Sequence, residues 1–269
     1  MVRVGVLGAG GRMGREVCRA VADDPSLELV AAVDPRLGGI DLRQVTGSDA
    51  SGVQVSSGLD DLERGSVDVA VDFTVADAAV EHMRWCASHG VHIVVGTTGI
   101  ADDVMAELAA LFASAAANGV IAANFAIGAV LMMRFCELAA PFMDGVEIIE
   151  LHHDGKLDAP SGTSLHTAER LHAARARSAA GTWPPDRTAS TIVSGARGGA
   201  GPGGIRVHAV RLPGLVAHQE VVFGAVGQSL TVRHDAYDRT SFMPGVILAV
   251  KAVPELSGLT VGLDSLLGF

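Results

Sequence analysis

The sequence predicts an α/β fold in two parts, a parallel-sheet domain over 1–125 and an α+β domain over 126–235 built on a mixed or antiparallel sheet. Three observations lead there. A short apolar strand opens the chain and runs directly into a glycine turn and a helical stretch. Four more apolar strands follow at α/β spacing. From about residue 205 the pattern changes to longer strand-like runs joined by turns.

Val2 to Leu7 is the first strand, and Gly8-Ala9-Gly10-Gly11-Arg12-Met13-Gly14 joins it to a helix over Arg15 to Ala22. Strand, glycine turn and helix in that order is the setting in which a Rossmann-type sheet binds a dinucleotide. Gly8 allows the tight turn, Gly11 lets backbone approach a pyrophosphate, and Gly14 permits close packing of helix on strand. The helix N-terminus then faces the phosphates. The spacing is G-x-x-G-x-x-G rather than G-x-G-x-x-G, and in a chain with 33 glycines its weight comes from its position.

The second strand, Leu27 to Val33, ends in Asp34, where an acidic side chain meets ribose hydroxyls. A turn residue before Pro35 is the other reading. A carboxylate there favours NADH, whereas Arg12 or Arg36 could neutralise the 2′-phosphate of NADPH, so both coenzymes stay open. The third strand, Val67 to Val71, runs into Asp72-Phe73-Thr74, and the fourth, Val91 to Val95, into Gly96-Thr97-Thr98-Gly99. A glycine turn with two threonines at a strand end can approach nicotinamide and ribose closely. The fifth, Val120 to Ala123, ends at Asn124-Phe125. A helix comes next, with Ile127, Val130, Leu131, Phe135 and Leu138 on one face, and Met132 and Met133 fill core or interface.

The densest chemistry lies beyond that helix. Val146-Glu147-Ile148-Ile149-Glu150-Leu151 alternates as a strand, placing His152 and His153 at its C-terminal end, before Asp154-Gly155-Lys156-Leu157-Asp158-Ala159-Pro160-Ser161-Gly162-Thr163. Neighbours on a strand point to opposite sides, so the two imidazoles serve different roles. After a turn at Ala159-Pro160, Ser161 is the N-cap of a helix with Leu165, Ala168 and Leu171 on one face. The N–H groups of Gly162 and Thr163, with the hydroxyls of Ser161 and Thr163 beside them, would face a carboxylate. A metal held by the two histidines would need further ligands and is disfavoured beside the Lys156 ammonium, so no metal is expected.

From about Ala173 to Gly204 the composition predicts a long loop, with Arg197 as solvated loop charge. Ile205 to Leu212, Val216 to Phe223 and Ser229 to His234 are then expected to form an antiparallel meander, turning at Pro213-Gly214 and at Gly224 to Gly227. Val221-Val222-Phe223 makes that sheet apolar enough for one face to bind other subunits. His166, His172, His208, His218 and His234 are assigned no chemistry.

These motifs resemble the dihydrodipicolinate reductase (4-hydroxy-tetrahydrodipicolinate reductase) family of the diaminopimelate and lysine pathway, over essentially the whole chain. The resemblance rests on the Gly8 to Gly14 turn, Asp72-Phe73-Thr74, Val95-Gly96-Thr97-Thr98-Gly99, Ala122-Ala123-Asn124-Phe125 and, most specifically, His152-His153-x-x-Lys156-x-Asp158-Ala159-Pro160-Ser161-Gly162-Thr163. It implies reduction of 4-hydroxy-tetrahydrodipicolinate, via dihydrodipicolinate, to tetrahydrodipicolinate by hydride transfer from NADH or NADPH. It implies proton transfer by His152 and Lys156, and binding of the small cyclic dicarboxylate by His153, Ser161, Gly162, Thr163 and Arg239. Implied cofactor contacts are Gly8, Ala9, Gly10, Gly11, Arg12, Met13, Asp34, Gly96, Thr97, Thr98, Ala122, Ala123, Asn124 and Phe125. The resemblance also implies a homotetramer, and the return of 236–269 to the dinucleotide-binding domain. Two positions depart from the family pattern: Asp154-Gly155 stands where some relatives are more basic, and Pro35 succeeds Asp34 where others can carry an arginine.

Composition agrees. With 269 residues, 49% hydrophobic and 19% charged, the chain can bury two cores. A net charge of -10 argues against nucleic-acid binding. No apolar run reaches membrane-spanning length, no signal peptide is expected, and three cysteines at Cys18, Cys86 and Cys136 fit a reducing cytoplasm. Two other functions fit parts of the pattern. A dehydrogenase of aspartate semialdehyde or a cyclic polyol would share the glycine turn, but the former needs a nucleophilic cysteine after a strand, and Cys136 falls in a helical run. A non-enzymatic dinucleotide sensor would have no use for His152 to Thr163.

Overall fold

The computed structural model describes residues 1–47 and 52–269. They divide into two compact units, Met1–Ala126 with Arg239–Phe269, and Ile127–Asp238.

The first unit contains β1 (Val2–Leu7), α1 (Arg12–Asp23), β2 (Leu27–Val33), α2 (Leu42–Thr46), β3 (Val55–Ser56), α3 (Asp60–Arg64), β4 (Val69–Asp72), α4 (Ala76–His89), β5 (His92–Val95), α5 (Asp102–Ser114) and β6 (Gly119–Ile121). When the chain returns from the second unit it adds α8 (Met243–Ala252) and β12 (Leu259–Val261). The sheet order is β12-β6-β5-β4-β1-β2-β3, and its strands all pair in parallel. This is the Rossmann-type order with one strand added at the β6 edge. Its central strands are apolar almost without interruption because helices cover both faces: Val4, Val6, Leu7, Val69, Val71, Ile93, Val94 and Val95 are all fully buried. Met83 and Cys86 of α4 and Leu108 and Phe112 of α5 pack with Leu7, Ile93 and Val95 in one cluster.

Helix α1 begins at Arg12, earlier than the sequence suggests, because Gly11 serves as its N-cap in an extended conformation. Gly14 therefore lies in the first helical turn.

The second unit contains α6 (Ile127–Ala139), β7 (Gly145–His152), α7 (Gly162–Ala176), β8 (Gly199–Ala200), β9 (Arg206–Arg211), β10 (Ala217–Ala225) and β11 (Gln228–Ala236). Its sheet runs β11-β10-β7-β9-β8 and is mixed, with β7 antiparallel to β10 and parallel to β9. The expected meander is thus corrected. Of the three strands expected in it, β10 and β11 form a hairpin, turning at Val226-Gly227 with Gly227 at φ +76°, while β9 pairs with neither. Strand β7 lies between β9 and β10 because Ile148 and Glu150, both fully buried, point into the core and need a neighbour on each side. Val221 and Gln219 of β10 stand opposite them on one flank, Val207 and Ala209 of β9 on the other.

Helix α6 also differs from expectation. It buries Ala129, Val130, Met132, Met133 and Cys136, while Phe135 and Leu138 are more than half exposed, so the apolar stripe is rotated from the predicted one and the two methionines lie at its centre. Helix α7 continues to Ala176, shortening the predicted loop from its start. The buried Arg175 anchors the chain beyond that helix: it donates to the carbonyls of Ala140, Met143 and Thr182, and stacks 4.3 Å from the Trp183 ring centroid. Arg197 is not a solvated charge. It pairs with Glu147 of β7 and with Asp186.

Candidate active site

In the first unit the strand order reverses between β2 and β4 on either side of β1, and the loops after β1, β4, β5 and β6 gather at the carboxyl edge beside that point. Backbone shape dominates here. Gly8 turns with φ +75°, Gly11 donates to its carbonyl at 2.9 Å, and a Cβ on Gly14 would stand 2.0 Å from the same oxygen. No side chain caps α1, so its first-turn N–H groups, including those of Arg12 and Met13, point out of the helix end. Ala9 is buried and its N–H donates to the Val33 carbonyl at 3.1 Å. Asp34 sits directly against this turn, accepting from the Gly10 N–H and the Arg36 N–H, each at 3.0 Å. The loop thus matches a pyrophosphate cradle in which added side chains have no room, with a carboxylate at the ribose end.

The neighbouring loops are pinned by the carboxylate at the end of β4. Asp72 is fully buried and takes the Thr74 N–H at 2.7 Å, the Thr74 hydroxyl at 2.6 Å and His82 Nδ1 at 2.6 Å. Phe73 lies against Gly96, where a Cβ would meet the ring at 2.0 Å, and its centroid is 5.7 Å from that of Phe125. Thr97 is buried with its hydroxyl 3.4 Å from the Thr74 carbonyl, whereas Thr98 is exposed. Ala122 continues the β5 pairing by donating to Val95 at 3.0 Å, Ala123 is exposed, and Asn124 caps the turn by accepting from the Ala126 N–H at 2.8 Å.

In the second unit, His152 ends β7 on the same side as Glu150, and His153 lies exposed beyond it. Glu150 organises the site. Its Oε2 accepts from His152 Nδ1 at 2.5 Å and Arg211 Nη1 at 2.7 Å, and its Oε1 from Arg211 Nη2 at 2.7 Å and the Ser161 N–H at 3.1 Å. Burial pushes its carboxyl up, but the bonds from Arg211 and His152 outweigh that and hold it below the ordinary range. Burial pulls the His152 imidazole below its ordinary value, with the Lys156 and Arg211 charges adding to this and Glu150 opposing it. Lys156 Nζ contacts Asp158 at 2.7 and 2.8 Å; Asp158 is 62% exposed, and the ammonium lowers its carboxyl. Arg211 also donates to the Asp158 carbonyl at 2.7 Å, tying down the loop before the cis Ala159–Pro160 peptide.

Ser161 caps α7, accepting from the Ser164 N–H at 3.2 Å. Its hydroxyl is buried in that cap and lies 3.0 Å from the Ser164 hydroxyl. Exposed Gly162 and half-buried Thr163 present the helix end. Arg239 belongs to the first unit, exposed at the start of a 3-10 turn. Among the described residues no group of three or more His, Cys, Asp and Glu side chains could hold a metal ion, and no helix is long and apolar enough to cross a membrane. All three cysteines are buried, and burial pushes the thiols of Cys18 and Cys136 up to about 12, which leaves no thiolate nucleophile there. A cavity of about 750 Å³ is lined by Glu147, Ile149, Trp183 and Val222, towards the opposite end of β7 from His152, so volume alone does not mark this chemistry.

Glu150 and Arg211 were missed by sequence reasoning. Strand alternation placed Glu150 on the face of Ile148 and His152, a signal that was there to use. Arg211 meets His152 only through the β7–β9 register.

Comparison with known proteins identifies the family. The family model of the dihydrodipicolinate reductase N-terminus matches residues 2–125, and that of its C-terminus matches 128–267. The 4-hydroxy-tetrahydrodipicolinate reductase of Corynebacterium urealyticum is 46% identical across 100% of this chain and 99% of its own length. That of Thermobifida fusca is 49% identical across 100% of both. Among solved structures, dipicolinate-bound dihydrodipicolinate reductase from Paenisporosarcina sp. TG-14 is 40% identical with a TM-score of 0.86, covering 98% of this chain and 99% of that one. With both halves matched and full-length relatives well above 30% identity, this chain belongs to the dihydrodipicolinate reductase family, oxidoreductases that use NADH or NADPH.

Proposed function

We propose that the chain reduces 4-hydroxy-tetrahydrodipicolinate, via dihydrodipicolinate, to tetrahydrodipicolinate in diaminopimelate and lysine biosynthesis. The observation that carries this reading is the joining of an imidazole, an ammonium and a helix N-terminus within one segment, His152 to Thr163, in a chain whose full-length relatives bear that activity. The Gly8 to Met13 turn and Asp34 hold the dinucleotide, with Gly96, Thr97, Thr98 and Ala122 to Phe125 as the further contacts. Bound NADH or NADPH supplies the hydride that adds to C4 of the conjugated imine.

His153, Thr163 and the N–H groups at Gly162 and Thr163 bind the substrate carboxylates, and Ser161 shapes that helix end as its cap. A substrate carboxylate displaces the exposed Asp158 carboxylate from Lys156, which brings the ammonium onto the substrate. Lys156 then stabilises electron density moving toward nitrogen. Burial and the neighbouring cations bias His152 toward its neutral form, with Nδ1–H on Glu150; arrival of a dianion favours its charged form, and Nε2 delivers the proton that balances the hydride. The protein works as a cytoplasmic homotetramer through the second unit's sheet, whose outer face carries the partly exposed Ile149, Leu151 and Val222.

Freshly generated 4-hydroxy-tetrahydrodipicolinate is supplied with NADH or NADPH, and nicotinamide absorbance is monitored. Substrate-dependent loss with either coenzyme supports the reading; its absence with both defeats it.

A further inference from the structure

We infer that Glu150 is a positioning residue that selects the Nδ1–H tautomer of His152 and, with Arg211 as counter-charge, sets the pH range over which His152 can give up a proton. The inference rests on the proposed role of His152 in proton transfer.

The geometry carries it. A fully buried carboxylate has four lone-pair sites, and here each is matched by a donor: His152 Nδ1, the two terminal nitrogens of Arg211, and the Ser161 N–H. An ionised carboxylate only accepts, so His152 must place a proton on Nδ1. Nε2 is thereby the single ring atom available for exchange with substrate, and the ring is locked in orientation. The Ser161 N–H ties the same carboxylate to the first residues of α7, so one buried charge fixes the proton donor and the helix end together. Strand alternation makes this possible, since residues two apart on β7 share a face. The register then brings Arg211 of β9 opposite His152.

Arg211 sets the charge balance. The charged groups facing His152 are Glu150 on its own strand, Lys156 from the adjoining loop and Arg211 from β9; Ala217 of β10 stands opposite it. A buried Glu150 alone would stabilise imidazolium strongly. The two-pronged guanidinium cancels much of that pull, which leaves His152 able to release its proton. Removing the carboxylate and removing the guanidinium therefore have opposite consequences. A purely structural ion pair predicts the same consequence for both, namely lost stability.

The test compares kcat against pH for the wild-type enzyme, Glu150→Gln, Arg211→Met and His152→Gln. Proton donation requires charged His152, so activity falls as pH rises through its value in the complex. Glu150→Gln is expected to lower kcat at neutral pH at least about tenfold and move that limb to lower pH, while Arg211→Met moves it to higher pH. Limbs that stay in place, or move the same way in both variants, overturn the proposal. If one variant fails to fold, nitrogen NMR of histidine-labelled wild-type enzyme decides: neutral His152, assigned by its absence in His152→Gln, must be the Nδ1–H tautomer, and an Nε2–H tautomer overturns the proposal. His152→Gln separates the two levels. If it keeps both turnover and the limb, the assigned role of His152 itself fails. If it loses the limb while the Glu150 and Arg211 variants leave it unmoved, only the positioning role fails.

Discussion

At the Gly8–Gly14 turn, glycines stand where an added Cβ would meet backbone, as at Gly14, or neighbouring side chains, as at Gly10 beside Leu37 and Asp34; at the end of β7, charged side chains converge on one buried carboxylate. The first region is a matter of shape. Its tolerances are set by hard contacts such as the 2.0 Å separating a Gly14 Cβ from the Gly8 oxygen, and they do not depend on pH. The second is a matter of balance, in which burial, two cations and one anion hold an imidazole on the neutral side. Holding a polyanionic chain needs N–H groups fixed in space, while moving a proton needs a group whose charge can change. Asp72 is the point where the first region borrows the second one's device, using a buried carboxylate to fix the Thr74 loop.

Four substitutions or conditions test this contrast. The largest effect is expected from Lys156→Ala, which removes charge from the balanced site: kcat should fall by at least about two orders of magnitude with NADH affinity unchanged. Steady-state rates and a fluorescence titration with NADH measure the two separately, and near-normal turnover breaks the assignment. Next is Gly14→Ala in the shape-limited region. Its methyl meets backbone rather than a movable side chain, so stability should drop by about 1–3 kcal/mol, the range for overpacking, and NADH binding should weaken at least tenfold by titration.

The third test concerns acid. The folded Glu150 carboxyl is depressed by Arg211 and His152, so its stabilisation is fully present above its unfolded value and disappears as pH falls through the folded one. Urea midpoints measured downward through the carboxylate range should fall less steeply in Glu150→Gln than in wild type; parallel curves would show that this carboxylate adds nothing. The smallest change is expected at the exposed pair Lys251–Asp24, 2.7 Å apart, whose bond helps hold the Asp24 carboxyl at about 2. Lys251→Ala should cost under about 1 kcal/mol in thermal denaturation, since solvent screens such pairs. A larger loss would mean that exposed and buried charges do not differ here as argued.

Legibility in the sequence depends on how local each cause is. The glycine turn, the strands β1, β2 and β7 and the Ser161 cap were readable because their determinants lie within a few neighbouring residues. The meander was not. Local turn signals at Pro213-Gly214 suggested a hairpin, whereas β7, from far earlier in the chain, takes the place between β9 and β10. The rotated stripe of α6 failed for a related reason: Phe135 and Leu138 are as apolar as Met132 and Met133, and packing with α7 and β11 decides which set is buried. Arg197 looked like a loop charge until β7 brought Glu147 to it.

Sequence alone therefore determined the parallel α/β sheet, the glycine turn after its first strand and the presence of two imidazoles, an ammonium and a helix cap in one short segment, because periodicity and spacing act over short range. Only the tertiary structure decided which carboxylate holds His152, which guanidinium offsets it and which hydroxyl is consumed as a cap. Those depend on strand register and burial, where residues 61 apart become hydrogen-bond partners and water no longer screens their charges.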